Sequence, residues 1–379
     1  MSAAAALSAA ELGSVRRIAI AGGGTGGHVN PALAIADAWR DNFPSAEILF
    51  IGTARGLEAT LVPKRGYPIE LVKGSRLVGG GPVAKVRGLW ALARGVLQAR
   101  RLLQGHGIAL VIGVGGYASG AALLAAWTLG LRTAIHESNA VPGFTNKMLG
   151  RIAHRIYLGF EAAAPGFAAG RVLVSGNPVR SEIAALGGRA RAGRHRQGPI
   201  HILIVGGSQG ALFLNEQVPS LLAEVAAGGV AMEVRHQVGR QDPVPVQDAY
   251  AAAGLDAEVL AYIDDMANSY DWADFAITRS GSGTVSELAA AAVPALLVPF
   301  PHAAGDHQAA NAAAFVAAGG GFMARQSDWN GQKLAQRIVS LLTDNQALEN
   351  AVAGAGSVAR ADAAQAVVDD CETMMEGRW

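Results

Sequence analysis

Two stretches of this chain share one build. VRRIAIAGGGTGGHVNPALAIADAW from Val15 and IHILIVGGSQGALFLNEQVPSLL from Ile200 each run from an apolar, β-branched strand through a glycine turn into an amphipathic helix. The glycines let the backbone turn at positive φ, and the helix that follows offers unsatisfied N–H groups and the positive end of its dipole to an anion. Met twice, the unit predicts two nucleotide-fold domains in tandem, with a cleft expected between them.

The first turn has GxGxxG spacing at Gly22, Gly24 and Gly27. That spacing alone is weak evidence for a dinucleotide, because such a site also needs an acidic residue at the end of the second strand, about 20 residues on, to hold a ribose. Here the second strand, AEILFIGTARG, ends on Gly52 and Thr53 without a carboxylate, which argues against a nicotinamide or flavin cofactor.

The 379 residues, 51% hydrophobic and 16% charged, are enough for two domains with separate cores. The single cysteine, Cys371, excludes an intramolecular disulfide and fits a reducing compartment. Residues 1–14 are Ala-rich without a basic start and read as a tail rather than a signal peptide. The longest apolar runs, Ala118 to Leu131 and Leu288 to Phe300, are too short or too proline-interrupted to span a bilayer. The charge is uneven. Residues 15–180 hold 19 Lys and Arg against 7 Asp and Glu, whereas residues 181–379 hold 12 against 22. A basic first half suits a polyphosphorylated substrate or an anionic surface.

Strands are expected at Val15 to Ala21, Ile48 to Ile51, Ile69 to Val72, Leu110 to Val114, Thr133 to His136, Arg155 to Leu158 and Val172 to Ser175. In the second half they are expected at Ile200 to Val205, Glu233 to Gln237, Val259 to Tyr262, Phe275 to Thr278 and Ala295 to Val298. Alternation with helical patterns predicts α/β domains with parallel sheets. The glycine- and arginine-rich run 187–199 reads as a linker between domains 15–186 and 200–355, and a helix from about 356 to 379 is expected to cross back onto the first domain.

Ligands of such sheets bind at the carboxyl ends of the strands. In the first half that rim gathers Gly115, Gly116, Tyr117 and Ser119, then His136, Glu137 and Asn139, then Asn177 and Arg180. In the second half it gathers the SGSGT turn with a helix behind it, and the segment with His302, Asp306, His307, Gln308 and Asn311. Asp264 and Asp265 form the one adjacent carboxylate pair weighed for a metal, and they read as helix caps.

GGTGGHVNPALA, GVGGYASG, HESNAVPG, SGNPVR, GGSQGA, YIDDMANSYDWAD, RSGSGTVSELAAA and VPFPHAAGDHQAANA, in this order, resemble the MurG family of GT-B glycosyltransferases. The resemblance runs from about Ile18 to Asn311 and on through the C-terminal helices. It implies the GT-B fold, two Rossmann-like domains facing across a cleft. It also implies transfer of GlcNAc from UDP-GlcNAc to the C4 hydroxyl of undecaprenyl-pyrophosphoryl-MurNAc-pentapeptide, lipid I, giving lipid II in peptidoglycan synthesis. The implied place is the cytoplasmic face of the bacterial cell membrane, peripherally bound and in reach of other cell-wall synthesis proteins. Neither a cofactor, nor a metal, nor nucleic acid is implied.

For the donor, the resemblance implies that Glu287 holds ribose hydroxyls. The helix N-terminus at Ser282, Gly283 and Thr284 faces the diphosphate, and Ser208 and Gln209 close the other side. Uracil is read by backbone groups at Ile263, with Arg180 and Met266 nearby, and the sugar lies against Gln308, Asn311 and Asn139. The chain departs from the family in having His307 where a second glutamine is usual. For the acceptor diphosphate, it implies Gly24, Thr25, Gly26, Gly27, His28, Gly115, Gly116, Tyr117 and Ser119. His28 has two open roles, general base or diphosphate ligand. A helix N-terminus favours the neutral imidazole that a base needs.

KVRGLWALARGVLQARR, residues 85–101, sets Val86, Leu89, Trp90, Ala93, Val96 and Leu97 on one helical stripe flanked by Lys85, Arg87, Arg94, Arg100 and Arg101. With Leu77 and Val78 before it, the stretch near 76–101 reads as a patch for an anionic membrane surface. A core-facing stripe is the competing reading. Two other functions stay open: a UDP-GlcNAc 2-epimerase-like isomerase, and a non-catalytic sugar-nucleotide-binding protein.

Overall fold

The computed structural model describes residues 16–54, 56–72, 82–188, 198–207 and 210–377, with side chains for all of these except 82–87 and 89. The chain divides into two compact units. The first comprises Met1–Ser138, Pro142–Pro178 and Ala363–Trp379, and the second Asn139–Val141 and Val179–Asp362.

The first unit is built on strands β1 (Arg17–Ala21), β2 (Glu47–Gly52), β3 (Ile69–Leu71), β4 (Leu110–Gly113), β5 (Arg132–Glu137), β6 (Arg155–Leu158) and β7 (Val172–Leu173). They form one sheet in the order β3-β2-β1-β4-β5-β6-β7, every pairing parallel. Because successive side chains in a strand point to opposite faces, β1 feeds two cores. Ile18 and Ile20 pack with Val29, Ile35 and Trp39 of the helix Gly26–Asn42, and with Val367, Val368 and Met374 of the helix Ala363–Met375. Ala19 and Ala21 pack on the other face with Ala118, Ala122, Leu123 and Ala125 of the helix Gly116–Thr128. Alanines on both sides of that contact let the helix lie close to the strands.

The second unit repeats the plan. Its strands β8 (Ile200–Val205), β9 (Met232–Gln237), β10 (Asp256–Leu260), β11 (Phe275–Thr278), β12 (Ala295–Leu297) and β13 (Gly321–Met323) run in the order β10-β9-β8-β11-β12-β13, again all parallel. In both sheets the order reverses beside the strand that carries the glycine turn, β1 next to β4 and β8 next to β11. That reversal is the topological switch point where open α/β sheets bind their ligands.

Three boundaries differ from the sequence reading. The second unit begins at Val179 rather than after 186, because Ile183 and Leu186 are buried and Gly187 lies against the carbonyl of Ala290. Of the expected linker, residues 189–197 lie outside the described residues. At the C-terminus the helix Asn345–Ser357 belongs to the second unit, and the returning helix starts at Ala363, not near 356. It docks through buried apolar side chains and through Asp370, which accepts from Arg155 Nη2 at 2.8 Å and Tyr157 Oη at 2.9 Å. Strand β10 starts three residues before the expected Val259, and β13 was not expected, since GFM after two glycines carries no apolar run.

Candidate functional site

In the first unit the rim is made of two interlocked glycine turns. Gly22, Gly23 and Gly24 follow β1 at φ of 144°, 145° and 98°, and Gly115 and Gly116 follow β4 at 105° and 81°. Gly23 N–H donates to the Gly115 carbonyl at 3.3 Å, and a Cβ on Gly116 would press on the Gly23 carbonyl at 2.9 Å. The turns touch, so neither tolerates a side chain at these points. His28 lies in the first turn of the helix Gly26–Asn42, half-buried, with its ring 2.9 Å from where a Gly115 Cβ would stand. Thr25 is the N-cap but makes no side-chain cap bond, which leaves the first-turn N–H groups of Gly26 and Gly27 without the usual capping oxygen. The sequence-predicted set Gly24 to His28, Gly115 and Gly116 is therefore brought together. Tyr117 and Ser119 follow on the helix Gly116–Thr128, each with a buried hydroxyl that makes no hydrogen bond. Burial raises the Tyr117 phenol above its ordinary range.

One carboxylate of this rim was not anticipated. Glu58, 2% exposed, accepts from Gly24 N at 2.7 Å through one oxygen and from Thr53 N and Thr53 Oγ1, both at 2.9 Å, through the other. No sequence spacing announces it, because it comes from the first turn of a helix, Glu58–Lys64, six residues past the strand end.

His136 and Glu137 lie at the same rim but inward. His136 is fully buried, and desolvation pulls its pKa down to about 4. The ring lies between the Gly176 carbonyl, 3.3 Å from Nε2, and the Ser138 hydroxyl, 3.2 Å from Nδ1. Glu137 Oε2 accepts from Gly143 N and Asn146 Nδ2 at 2.9 Å, and Asn177 Nδ2 donates to the Ser138 carbonyl at 2.9 Å. These residues brace the loop after β5.

In the second unit the helix Ser282–Ala290 starts on Gly281 without a side-chain cap, and a Cβ on Gly281 or Gly283 would meet nothing within 4 Å. Its N-terminus is uncapped and open. One and a half turns on, Glu287 is 8% exposed and accepts from Arg180 Nη2 at 3.0 Å and from Tyr270 Oη at 3.1 Å. Burial works against the Arg180 cation, but Glu287 outweighs it and raises the guanidinium pKa. The structure thus assembles Arg180, Ser282, Gly283, Thr284 and Glu287, and adds Tyr270, which the sequence reading quoted in a motif without assigning it a role. Ile263, on the loop after β10, is buried at 6% exposure, and Met266 opens the next helix, Met266–Trp272, which Asp265 caps through Asn268 N at 2.9 Å. Ser208 and Gln209 lie outside the described residues.

The third segment is the helix His307–Ala317 and the turn before it. Asp306 holds a left-handed φ of 55°, tied to Arg325 by two bonds of 2.6 and 3.2 Å. His307 Nδ1 lies 2.8 Å from the Ala304 carbonyl and donates to it, which leaves Nε2 of a neutral ring as an acceptor. Gln308 Oε1 accepts from Phe300 N at 2.8 Å and so turns its NH2 away. Asn311 is fully buried. Its Oδ1 accepts from Ala140 N at 2.8 Å, and its Nδ2 donates to Asn139 Oδ1 and the Ser280 carbonyl, both at 3.2 Å. The amide is spent on holding Asn139–Val141 within the second unit.

The helix Pro82–Gly105 turns Gly95, Ala99 and Leu103 inward and leaves Trp90 63% and Leu97 60% exposed, with the Arg94 guanidinium 4.6 Å from the Trp90 ring. Leu77, Val78 and the side chains of Lys85, Val86, Arg87 and Leu89 lie outside the described ones. Among the described residues no helix is long and apolar enough to cross a membrane.

Known proteins share this two-domain plan. Residues 18–158 match the glycosyltransferase family 28 N-terminal domain, and residues 201–367 match the family's C-terminal domain. The chain is similar to proteins named UDP-N-acetylglucosamine–N-acetylmuramyl-(pentapeptide) pyrophosphoryl-undecaprenol N-acetylglucosamine transferase. That of Chromohalobacter salexigens is 44% identical over 94% of this chain and 96% of the relative. That of Aeromonas hydrophila is 43% identical over 96% and 98%. Among solved structures, Acinetobacter baumannii MurG superposes with a TM-score of 0.78 at 33% identity, covering 95% of this chain and 100% of that one. A UDP-GlcNAc 2-epimerase from Neisseria meningitidis shares the fold alone, at 10% identity and a TM-score of 0.67.

Proposed function

The chain belongs to glycosyltransferase family 28, in its MurG branch, and we propose that its residues divide the family's reaction between the two units. It is an N-acetylglucosaminyltransferase that moves GlcNAc from UDP-GlcNAc to the C4 hydroxyl of lipid I and yields lipid II. The 44% identity over almost the whole of both chains carries this reading.

The second unit takes the donor. The open N-terminus of the helix Ser282–Ala290 meets the diphosphate with N–H groups and dipole, and so stabilises the charge that builds on UDP as it leaves. Glu287, aimed by Arg180 and Tyr270, accepts from ribose hydroxyls with its remaining lone pairs. Gln308 presents its NH2 to the sugar, and Asn311 acts at one remove by fixing Asn139. Uracil is read by the backbone at Ile263 with Met266 and Arg180 beside it.

The first unit takes the acceptor, with the first-turn N–H groups after Thr25 and the Gly115–Gly116 turn toward its diphosphate. In the displacement the C4 oxygen bonds to the anomeric carbon, the bond from that carbon to the phosphate oxygen breaks, and UDP keeps the electron pair. The anomeric configuration inverts. The C4 proton goes to a base, for which His28 is the candidate on this rim. The exposed Trp90, Leu97 and Arg94 give the acceptor-binding unit an apolar and basic surface suited to the cytoplasmic membrane face.

The test is transfer of labelled GlcNAc from UDP-GlcNAc to a lipid I analogue in EDTA. Product with a β-1,4 link is expected. Epimerised UDP-sugar without transfer would favour the isomerase, and binding without either product a sugar-nucleotide-binding protein.

A further inference from the structure

The turn before the helix His307–Ala317 runs against its own sequence. Asp306 is the N-cap of that helix, a position where the backbone is ordinarily extended and an aspartate side chain caps the first N–H groups. Here the backbone is left-handed, at φ 55° and ψ 28°, and the carboxylate makes no cap bond. Among the described residues only Ala292 and Asp306 are non-glycine residues at positive φ. The carboxylate is held by Arg325, which donates to its two oxygens from Nη1 at 3.2 Å and Nη2 at 2.6 Å and keeps the carboxyl pKa below the ordinary range. Arg325 itself stands on a fixed post. On one side Ala324 N donates to the Leu297 carbonyl at 3.0 Å, and on the other Gln326 Oε1 accepts from Nη1 of the buried Arg279 at 3.2 Å.

We propose that Arg325 is a positioning residue for the donor sugar: its pair with Asp306 keeps this turn left-handed and so aims the Gln308 amide. The inference rests on the assignment of Gln308 to GlcNAc made above. The path of residues 304–306 decides both bonds that fix the first turn of the helix, from His307 Nδ1 to the Ala304 carbonyl and from Phe300 N to Gln308 Oε1, each 2.8 Å. Released from Arg325, Asp306 turns extended and caps the N–H of Gln308 or Ala309, and that change of path carries the Gln308 side chain with it. The pair is about half-exposed, so its own strength is small. Its effect lies in deciding which of two turns the chain adopts.

Isothermal titration of the full chain with UDP-GlcNAc and, separately, with UDP tests the proposal. Arg325→Ala is expected to weaken UDP-GlcNAc binding several-fold and to leave UDP binding unchanged, because UDP carries no sugar for Gln308 to hold. Adding Asp306→Gly to Arg325→Ala is expected to restore most of the loss, since glycine takes the left-handed turn without strain and has no side chain to cap the helix. Wild-type affinity for UDP-GlcNAc in Arg325→Ala overturns the proposal. So does an equal loss for UDP and UDP-GlcNAc, or a double variant no better than Arg325→Ala, since either would mean that Arg325 acts through its charge or through general stability. Gln308→Ala separates this inference from the donor reading. It is expected to weaken UDP-GlcNAc at least as much as Arg325→Ala does, again sparing UDP. Wild-type UDP-GlcNAc binding in Gln308→Ala would refute the sugar assignment itself, whereas a loss there beside an unaffected Arg325→Ala would refute the positioning role alone.

Discussion

Asn311 shows how a residue's chemistry is set by what it already holds. An amide with free ends would be a sugar ligand. This one is fully buried with both ends bonded, and in the function proposed above it acts on the donor by holding Asn139 and Ala140. Asn311→Ala strands the buried Ala140 N–H, at a cost of about 1 to 3 kcal/mol. It is expected to raise the UDP-GlcNAc KM through displacement of Asn139. Urea unfolding and donor kinetics check both parts, and a variant with wild-type values for each would remove the role. Residue types and motif order pointed to the set Arg180, Ser282, Gly283, Thr284 and Glu287, which the structure brings together. They did not reveal which polar groups were already engaged. Glu58 and Tyr270 escaped for a related reason: Gly24 stands 34 residues from Glu58 and Glu287 stands 17 residues from Tyr270, and no local spacing encodes such a bond.

At the scale of elements, strands with long apolar runs were legible nearly to the residue, as at Arg155–Leu158, Ile200–Val205 and Phe275–Thr278. Burial on both faces leaves no other use for such a run. The short Gly321–Met323 had no such signal, and the unit boundary was misplaced because Ile183 and Leu186 are core residues in a segment too short to show periodicity. In the helix Pro82–Gly105 the expected stripe divides, with Val96 packed against the core and Trp90 and Leu97 exposed. Glycine and alanine at Gly95 and Ala99 pack inward, and the tryptophan goes out, the reverse of what burial of large apolar groups would favour. Exchange of Trp90 and Leu97 for alanine is expected to weaken binding to anionic vesicles several-fold while sparing transfer to a water-soluble acceptor. Equal vesicle binding would return this face to the status of an ordinary surface.

At the scale of the whole molecule, each unit buries one histidine in neutral form among the described residues. Desolvation lowers His136 to about 4 in the first unit and His236 to about 3 in the second, where His236 lies between Tyr250 Oη and Asn215 Oδ1. The unfolded chain takes up these protons below about pH 6.5 and the folded chain does not, so the sign is fixed. Stability falls as pH drops from about 6.5 towards the folded values, by about 2 kcal/mol per histidine at pH 5. Chemical denaturation at pH 7 and pH 5 reads this directly, and equal stabilities would contradict it. The two histidines stand on non-equivalent strands, β5 and β9, of two sheets that share one strand order, and the account assigns the two units to different substrates.

That division of labour is the central claim, and steady-state kinetics with both substrates varied tests it most directly on wild type, His28→Ala and Glu287→Ala. The account predicts that Glu287→Ala raises the KM for UDP-GlcNAc at least tenfold and leaves the acceptor KM in place. It predicts that His28→Ala leaves the donor KM unchanged, with the loss in kcat if the imidazole is the base or in acceptor KM if it holds the diphosphate. A donor KM that rises in His28→Ala and stays unchanged in Glu287→Ala would put the nucleotide in the first unit and contradict the account.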